Sequence, residues 1–174
     1  MRRLGGAFSQ RPHSPGSSPA RVRKNAPMVP AADSQAVDIV PQLSVRRGLE
    51  AVAFYQAALG AVEVYRVGGT EENRAVVAQL TVGDASFWVA DESPAHENFS
   101  PESVGGGTVR MLLIVDDPEA AVERAKAAGA SEVHPVVDEH GWRLGRIKDP
   151  FGHHWEVGKP LIDWPPPSGG PHAS

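Results

Sequence analysis

The chain has 174 residues, with 17 basic and 21 acidic side chains and a formal net charge of −4 at pH 7. This length is typical of one domain, and the negative charge disfavours a nucleic-acid partner. The chain has no cysteine, which excludes disulfides and thiolate metal ligands. No apolar run approaches the ~18 residues of a transmembrane helix, so we expect no membrane partner and a cytoplasmic location.

Residues 1–36 differ in composition from the rest of the chain. Residues 1–32 contain six basic and no acidic residues, whereas the net charge from Asp33 onward is −10. An Arg- and Ser-rich leader without acids is found in organelle transit peptides, but an unstructured tail, or translation that starts at Met28 instead of Met1, also explains it. We predict an unstructured extension over 1–36, a folded domain over 37–162 and an unstructured Pro- and Gly-rich tail over 163–174.

The first half of the folded domain is predicted to form a strand, a helix and three more strands. Short runs rich in β-branched residues favour strands. The helix is predicted to end at Gly60, since glycine is favoured just after a helix. The predicted strands cover residues 37–45, 61–67, 75–82 and 85–91, and the helix covers 46–60.

The second half is predicted to repeat this order after a Gly- and Ser-rich loop over residues 92–107. Asp117 and Pro118 have the residue types favoured at a helix N-terminus, and Gly129 is predicted to stop the helix. His140 follows Glu139 in what we predict to be a surface loop at the entrance of a cleft. The predicted strands cover residues 109–115, 131–137, 142–149 and 153–158.

The two halves also resemble each other in sequence. "AALGAVEV" at residues 57–64 matches "KAAGASEV" at residues 126–133, and the spacings Gly60–Gly83 and Gly129–Gly152 are both 23 residues. A repeat at fixed spacing indicates a duplicated supersecondary unit. We therefore predict an α+β fold of two tandem βαβββ modules that form a curved mixed sheet with a cleft, with the helices on the outer face.

Three segments carry a resemblance to a known family. "AVAFYQAALGA" at residues 51–61, "AQLTVGDASFWVADE" at 78–92 and "GRIKDPFGHHWEV" at 145–157 resemble the vicinal oxygen chelate superfamily. This superfamily includes glyoxalase I, extradiol dioxygenases and bleomycin-resistance proteins. Within it the chain looks most like the PhnB-like, glyoxalase-like branch. The resemblance implies a homodimer, and in some members the partner chain completes the cleft.

The resemblance also implies four positions for metal ligands, on the first and last strand of each module. Glu156 falls on the last of them, and the repeat places the others at Val40, Phe87 and Arg110. Valine and phenylalanine have no donor atom, and an arginine cation does not ligate metals. One carboxylate is too few, since catalytic zinc sites use three protein ligands. We expect no metal and no other cofactor, and a divalent ion is disfavoured.

Alternation along the last strand sorts the neighbours of Glu156. If Glu156 faces the cleft, His154 does too, and Trp155 packs in the core. His153 is expected to hydrogen-bond near its own turn. An imidazole beside a carboxylate makes His154 and Glu156 candidates for an acid–base pair. The alternative is that His154 is a structural residue.

The same alternation predicts a ligand-binding set. Arg110 and Glu156 are expected to form an ion pair in the place of the metal, or Arg110 simply extends into solvent. Trp142 is expected to cover the mouth of the cleft, and Trp88 to lie on the helix side of its strand. The predicted ligand-binding residues are Gln42, Gln79, Phe87, Arg110, Trp142, Arg146, His154 and Glu156.

These residues leave several functions open. A cleft of mixed polarity favours binding of a small molecule without a metal, similar to sequestration by bleomycin-resistance proteins. One alternative is an enzyme, either a glyoxalase-type lyase or isomerase or a dioxygenase-like protein, metal-free or with unusual metal ligands. Another is an interaction protein without small-molecule activity. Fold alone does not decide whether the chain is an enzyme.

Overall fold

The computed structural model describes residues 38–163. The predicted extension over residues 1–36 and the tail from residue 164 onward lie outside the described residues. Within residues 38–163, no helix is both long and apolar enough to cross a membrane. The expected cytoplasmic location stays a prediction.

The first module folds as one helix and a four-stranded sheet. Strand β1 is paired parallel to β4, and β4–β3 and β3–β2 are antiparallel pairs, so the strand order is β1-β4-β3-β2. Helix α1 ends at Gly60, which is left-handed with φ 68°, as predicted. Strand β1 begins only after Pro41, because proline has no N–H for a ladder. The elements are β1 (Gln42–Val45), α1 (Gly48–Leu59), β2 (Val62–Gly68), β3 (Val76–Val82) and β4 (Ala85–Asp91).

The segment between the modules contains more structure than the loop that was predicted. A short 3₁₀ turn spans Pro94–His96, and helix α2 spans Pro101–Val104. The Glu92 carboxylate accepts hydrogen bonds from Ser100 N at 2.8 Å and from Ser103 Oγ at 2.7 Å. The backbone hydrogen bond from Ser100, followed by those from the two hydroxyls, lowers the pKa of Glu92 below its ordinary value. Glu92 therefore fixes the start of α2.

The second module repeats the first in strand order, β5-β8-β7-β6, with β5 parallel to β8. Asp117 caps helix α3, because its Oδ1 accepts a hydrogen bond from Ala120 N at 3.0 Å. The predicted tandem βαβββ architecture is confirmed. The elements are β5 (Arg110–Ile114), α3 (Pro118–Ala127), β6 (Ser131–Glu139), β7 (Trp142–Lys148) and β8 (His154–Pro160).

Each sheet has a face covered by helix, called here the helix face, and an opposite open face. The helix faces of both modules contribute to one core, in which α1 contacts α3. The ring of Tyr55 on α1 lies 5.6 Å from that of Trp155 on β8, and Phe87 on β4 lies 5.6 Å from the same indole. Aromatic contacts in these edge and tilted geometries stabilise the seam between the modules.

Asp149, in the turn before β8, is a buried carboxylate in this seam, 3% exposed. Its Oδ1 accepts hydrogen bonds from the backbone N–H groups of Phe151 and His153, at 3.0 and 2.9 Å. Its Oδ2 accepts from Tyr55 Oη at 2.7 Å and from Trp155 Nε1 at 3.0 Å. The turn that precedes His154 and Glu156 is therefore fixed from both modules.

Candidate functional site

The open face of the second module carries most of the charged side chains that were predicted to bind ligand. Arg110 lies on β5, Glu156 on β8 and Arg146 on β7, and strand pairing brings the three to one face. Together with Trp142 they line a cavity of about 350 Å³. This volume is at the small end of the range for ligand sites. The cavity is the candidate site.

The ion pair expected between Arg110 and Glu156 is present. Arg110 Nε lies 3.0 Å from Glu156 Oε1. The Arg110 side chain is 57% exposed and that of Glu156 is 26% exposed. Water screens a pair exposed to this degree, so it contributes only about 0–1 kcal/mol to stability. The pair therefore matters more for the charge of the cavity than for the stability of the fold.

Two arginines of β7 have very different surroundings. Arg143 and Arg146 are both half-buried, on opposite faces of the strand. Arg143 lies 2.7 Å from Asp138 Oδ1 and 3.4 Å from Glu119 Oε1. Arg146 is paired in register with Glu156, yet it has no ion pair or side-chain hydrogen bond among residues 38–163. Arg146 thus brings to the cavity a guanidinium that has no ion pair among the described residues.

His154 shares the open face with Glu156, as predicted, but its cross-strand neighbours are cations. It is paired in register with Arg110 on β5 and with Lys148 on β7. Its Nδ1 is buried without a hydrogen-bond partner among the described residues, and His154 is not among the residues that line the cavity. The geometry therefore gives His154 no direct contact with a molecule in that cavity.

The backbone of His153 makes the local hydrogen bonds that were expected at its turn, since its N–H donates to Asp149 Oδ1 and its carbonyl accepts from Asp149 N. Its side chain makes a long-range contact as well. Its Nε2 lies 2.9 Å from the backbone O of Ser44 on β1, which is 109 residues away in sequence. The turn before β8 packs against the first module, where β1 is the edge strand of its sheet and offers the Ser44 carbonyl. His153 joins the two modules.

Gln42 and Gln79 lie on the open face of the first module. Both are paired in register with Trp88, Gln42 from β1 and Gln79 from β3. Gln42 lines a separate cavity of about 280 Å³ that also contains Ser44, Phe99 and His153. Neither glutamine is among the residues that line the cavity of Arg110 and Glu156. The predicted ligand-binding set is thus divided between the two modules.

Phe87 was predicted to face the cleft, and this prediction is wrong. Its side chain lies in the core, 5% exposed, on the helix face, whereas Trp88 lies on the open face. Gln42 on β1 and Leu112 on β5 are equivalent positions of the two modules. Gln42 is paired with Trp88 and Leu112 with Glu156, so Trp88 is the counterpart of Glu156. The prediction located the counterpart of Glu156 by its distance in sequence from the turn glycines Gly83 and Gly152. This count fails because five residues join β7 to β8 and only two join β3 to β4.

Several residues of the cavity were not in the predicted set. His140 has a positive φ of 51° and is followed by Gly141 at 78°, as a tight two-residue hairpin turn requires. This turn lies at the edge of the cavity. The sequence had predicted a surface loop here, at the entrance of the cleft. Alternation along β7 would have identified Leu144 from Trp142 and Arg146. The additional lining residues are His134, Glu139, His140, Leu144 and Gly145.

The residues at the expected metal positions do not fit a divalent ion. Glu156 Oε1 is occupied by Arg110. Trp88, which replaces Phe87 as the counterpart of Glu156, has an indole N–H that only donates. Among residues 38–163, no group of three or more His, Cys, Asp or Glu side chains is arranged to hold a metal. The chemistry of the site is therefore derived from the organic side chains alone.

Comparison with known proteins agrees with this fold. An uncharacterised protein from Mycobacterium tuberculosis is 35% identical over 137 residues, which cover 74% of this chain and 80% of the relative. The crystal structure of a gene product from Arabidopsis thaliana superposes with a TM-score of 0.57 at 31% identity, covering 71% of this chain and 99% of that one. The fosfomycin resistance protein FosX from Listeria monocytogenes, in complex with Mn(II) and sulfate, has a TM-score of 0.54 at 16% identity and covers 71% of this chain and 92% of its own, a likeness of fold alone.

A family model also matches most of the folded part of the chain. It covers residues 39–157, from the segment before β1 into β8, and so includes both modules. The PhnB-like branch stays a prediction. The chain belongs to the glyoxalase/bleomycin resistance protein/dioxygenase superfamily.

Proposed function

We propose that the chain binds a small organic molecule in the cavity on the open face of the second module, without a metal ion. The observation that carries this proposal is the convergence of Arg110, Arg146, Glu156 and Trp142 on one cavity of about 350 Å³. A few convergent polar groups beside an aromatic ring are typical of ligand sites. Sequestration or carriage of the molecule needs no further group.

An acid–base enzyme is the second candidate, and the geometry favours it less. That mechanism requires His154 and Glu156 to reach the same molecule. Glu156 lines the cavity and His154 does not. Binding therefore remains the better-supported function.

A thermal-shift screen of small molecules and divalent metals, with and without a chelator, tests the proposal. We expect an organic compound to raise the melting temperature equally with and without chelator, because no metal takes part. Glu156→Ala should change this rise, since Glu156 holds Arg110 at the cavity. Glu119→Ala is the matched control, because Glu119 contacts Arg143 on the opposite face of the sheet. Stabilisation by a metal alone, or near-stoichiometric zinc, nickel or iron in the purified protein, would contradict metal-free binding.

We also propose that the chain forms a homodimer through its open faces. Large apolar side chains on these faces are well exposed, including Val62 at 59% and Tyr65 at 51% in the first module and Ile114 at 53% in the second. Exposed apolar side chains grouped on one face of a sheet favour association with another chain. Sedimentation should give about twice the 18.5 kDa of one chain, and Ile114→Glu should shift the protein towards the monomer. A monomer at all concentrations would contradict the dimer.

A further inference from the structure

The open face of the second module is positively charged on an acidic chain. Strand pairing places Arg110, Arg146 and Lys148 on this face together with the carboxylates of Glu139 and Glu156. The fixed charges there sum to +1, whereas the whole chain has a net charge of −4. A local field opposite in sign to that of the whole molecule favours a ligand of negative charge.

Arg146 is the half-buried cation of this face that has no ion pair among residues 38–163. A half-buried guanidinium loses part of its hydration, and this cost is normally offset by a carboxylate, as Asp138 and Glu119 do for Arg143. Arg146 has no such partner among residues 38–163 and borders the cavity. Its planar fork of N–H donors matches the oxygens of a carboxylate or a phosphonate.

Arg110 can add to the same recognition. It contacts Glu156 through Nε at 3.0 Å. Its two Nη groups make no hydrogen bond among residues 38–163, so they remain donors towards the cavity that Arg110 lines. Glu156 thereby orients the guanidinium while the fork stays open to a ligand.

The remaining wall selects what the anionic group is attached to. Trp142 and Leu144 contribute an indole ring and an aliphatic side chain to the cavity. A purely inorganic anion would leave these groups facing water, whereas an aromatic or aliphatic group would bury them. The volume of about 350 Å³ restricts this group to a small one.

We propose that the ligand of this cavity is a small organic oxyanion, a carboxylate or a phosphonate, whose charged group binds Arg146 and Arg110 and whose apolar part packs against Trp142 and Leu144. This inference rests on the proposed function, since it names the class of molecule that the cavity binds.

Four probes that share a benzyl group and differ in the end group, which is anionic, neutral or cationic, test the inference. We would titrate ¹⁵N-labelled protein with phenylacetate, benzylphosphonate, phenylacetamide and phenethylamine at up to millimolar concentration and follow the amide signals of β7 and β8. The two anions should shift the signals of Arg146 and Glu156 at lower concentration than the amide or the amine. Added NaCl should weaken binding of the anions, because salt screens the exposed charges. The stronger of the two anions identifies the carboxylate or the phosphonate as the preferred group.

Two variants of β7 complete the test. Arg146→Gln should weaken binding of the anions about tenfold or more, the effect of losing a charge-assisted hydrogen bond. Arg143→Gln, on the opposite face of the same strand, should change it less than about twofold. Equal binding of anion, amide and amine, or equal effects of the two variants, would overturn the inference and leave the proposed function standing. Absence of any shift at the cavity with all four probes would count against the proposed function itself.

Discussion

Asp149 shows how one buried carboxylate can join two halves of a chain. It accepts four hydrogen bonds, from Tyr55 on α1, from Trp155 on β8 and from the backbone of Phe151 and His153. A buried ionised group is tolerated only when its hydrogen-bonding capacity is met, and these donors meet it without a cation. The predicted strands over residues 142–149 and 153–158 left a short connection next to this position, and the structure has a turn there. The contact with Tyr55, 94 residues away, left no local pattern to detect.

Replacement of Tyr55 by phenylalanine should destabilise the protein. The change removes one of the four donors to Asp149 and keeps the aromatic ring in the core. Loss of a buried hydrogen bond to a charged group costs about 1–3 kcal/mol. Chemical denaturation would measure this loss in the free energy of unfolding. Tyr65→Phe is the control, because Tyr65 is 51% exposed and should change stability by less than about 0.5 kcal/mol. Equal effects of both changes would contradict the role of the hydrogen bond.

The same tyrosine should make stability depend on pH in the alkaline range. Burial, followed by the nearby charge of Asp149, raises the pKa of Tyr55 well above its ordinary value of 10.0. Above pH 10 the unfolded chain therefore releases the phenolic proton while the folded chain keeps it. The stabilising contribution is complete below pH 10 and is lost as the pH rises from there towards the folded pKa. Urea unfolding at several pH values between about 9 and 11 should show a steeper fall for the wild type than for Tyr55→Phe. Parallel curves would contradict this assignment.

At the scale of elements, strand β4 shows what alternation can and cannot predict. Its bounds, Ala85–Asp91, were predicted correctly from β-branched and aromatic residues. Which of its faces meets the helix was predicted wrongly, because the register was carried over from β8 across turns of different length. On β8 itself the prediction was correct, with Trp155 buried and Glu156 on the open face. Alternation along a strand divides its side chains between two faces. Only a contact with another element of the fold shows which of the two faces is buried.

Adjacent substitutions on β4 would test this register. Phe87→Ala should lower the free energy of unfolding by about 3–5 kcal/mol, because it leaves a cavity beside Tyr55 and Trp155. Trp88→Ala should cost less, since Trp88 is half-buried on the open face and its edge contact with Tyr65 involves an exposed ring. Denaturant midpoints of the two variants give the comparison. A larger loss for Trp88→Ala would reverse the assignment of the faces.

At the scale of the whole molecule, the two modules share one core although their sheets are separate. Residues of α1, β3 and β4 form a single hydrophobic cluster with residues of α3, β7 and β8. Arg124 Nε on α3 donates to the backbone O of Ala58 on α1 at 2.8 Å. The repeat in the sequence predicted two similar units. It contained no information on the surfaces that meet, because those contacts differ between the copies.

The shared core predicts that the modules unfold together. Opening of one module would expose the rings of Tyr55, Phe87 and Trp155 at the seam and leave the Asp149 carboxylate without donors from the other module. The cost of such partial opening approaches that of complete unfolding, so intermediates should not accumulate. Native-state hydrogen exchange should therefore give the buried amides of Leu80 on β3 and Val157 on β8 the same free energy of opening. Disruption of the seam by Tyr55→Phe should lower both values equally. A value for Val157 that falls while that of Leu80 is retained would mean that the second module opens alone, and that the seam is an interface between two independent folding units.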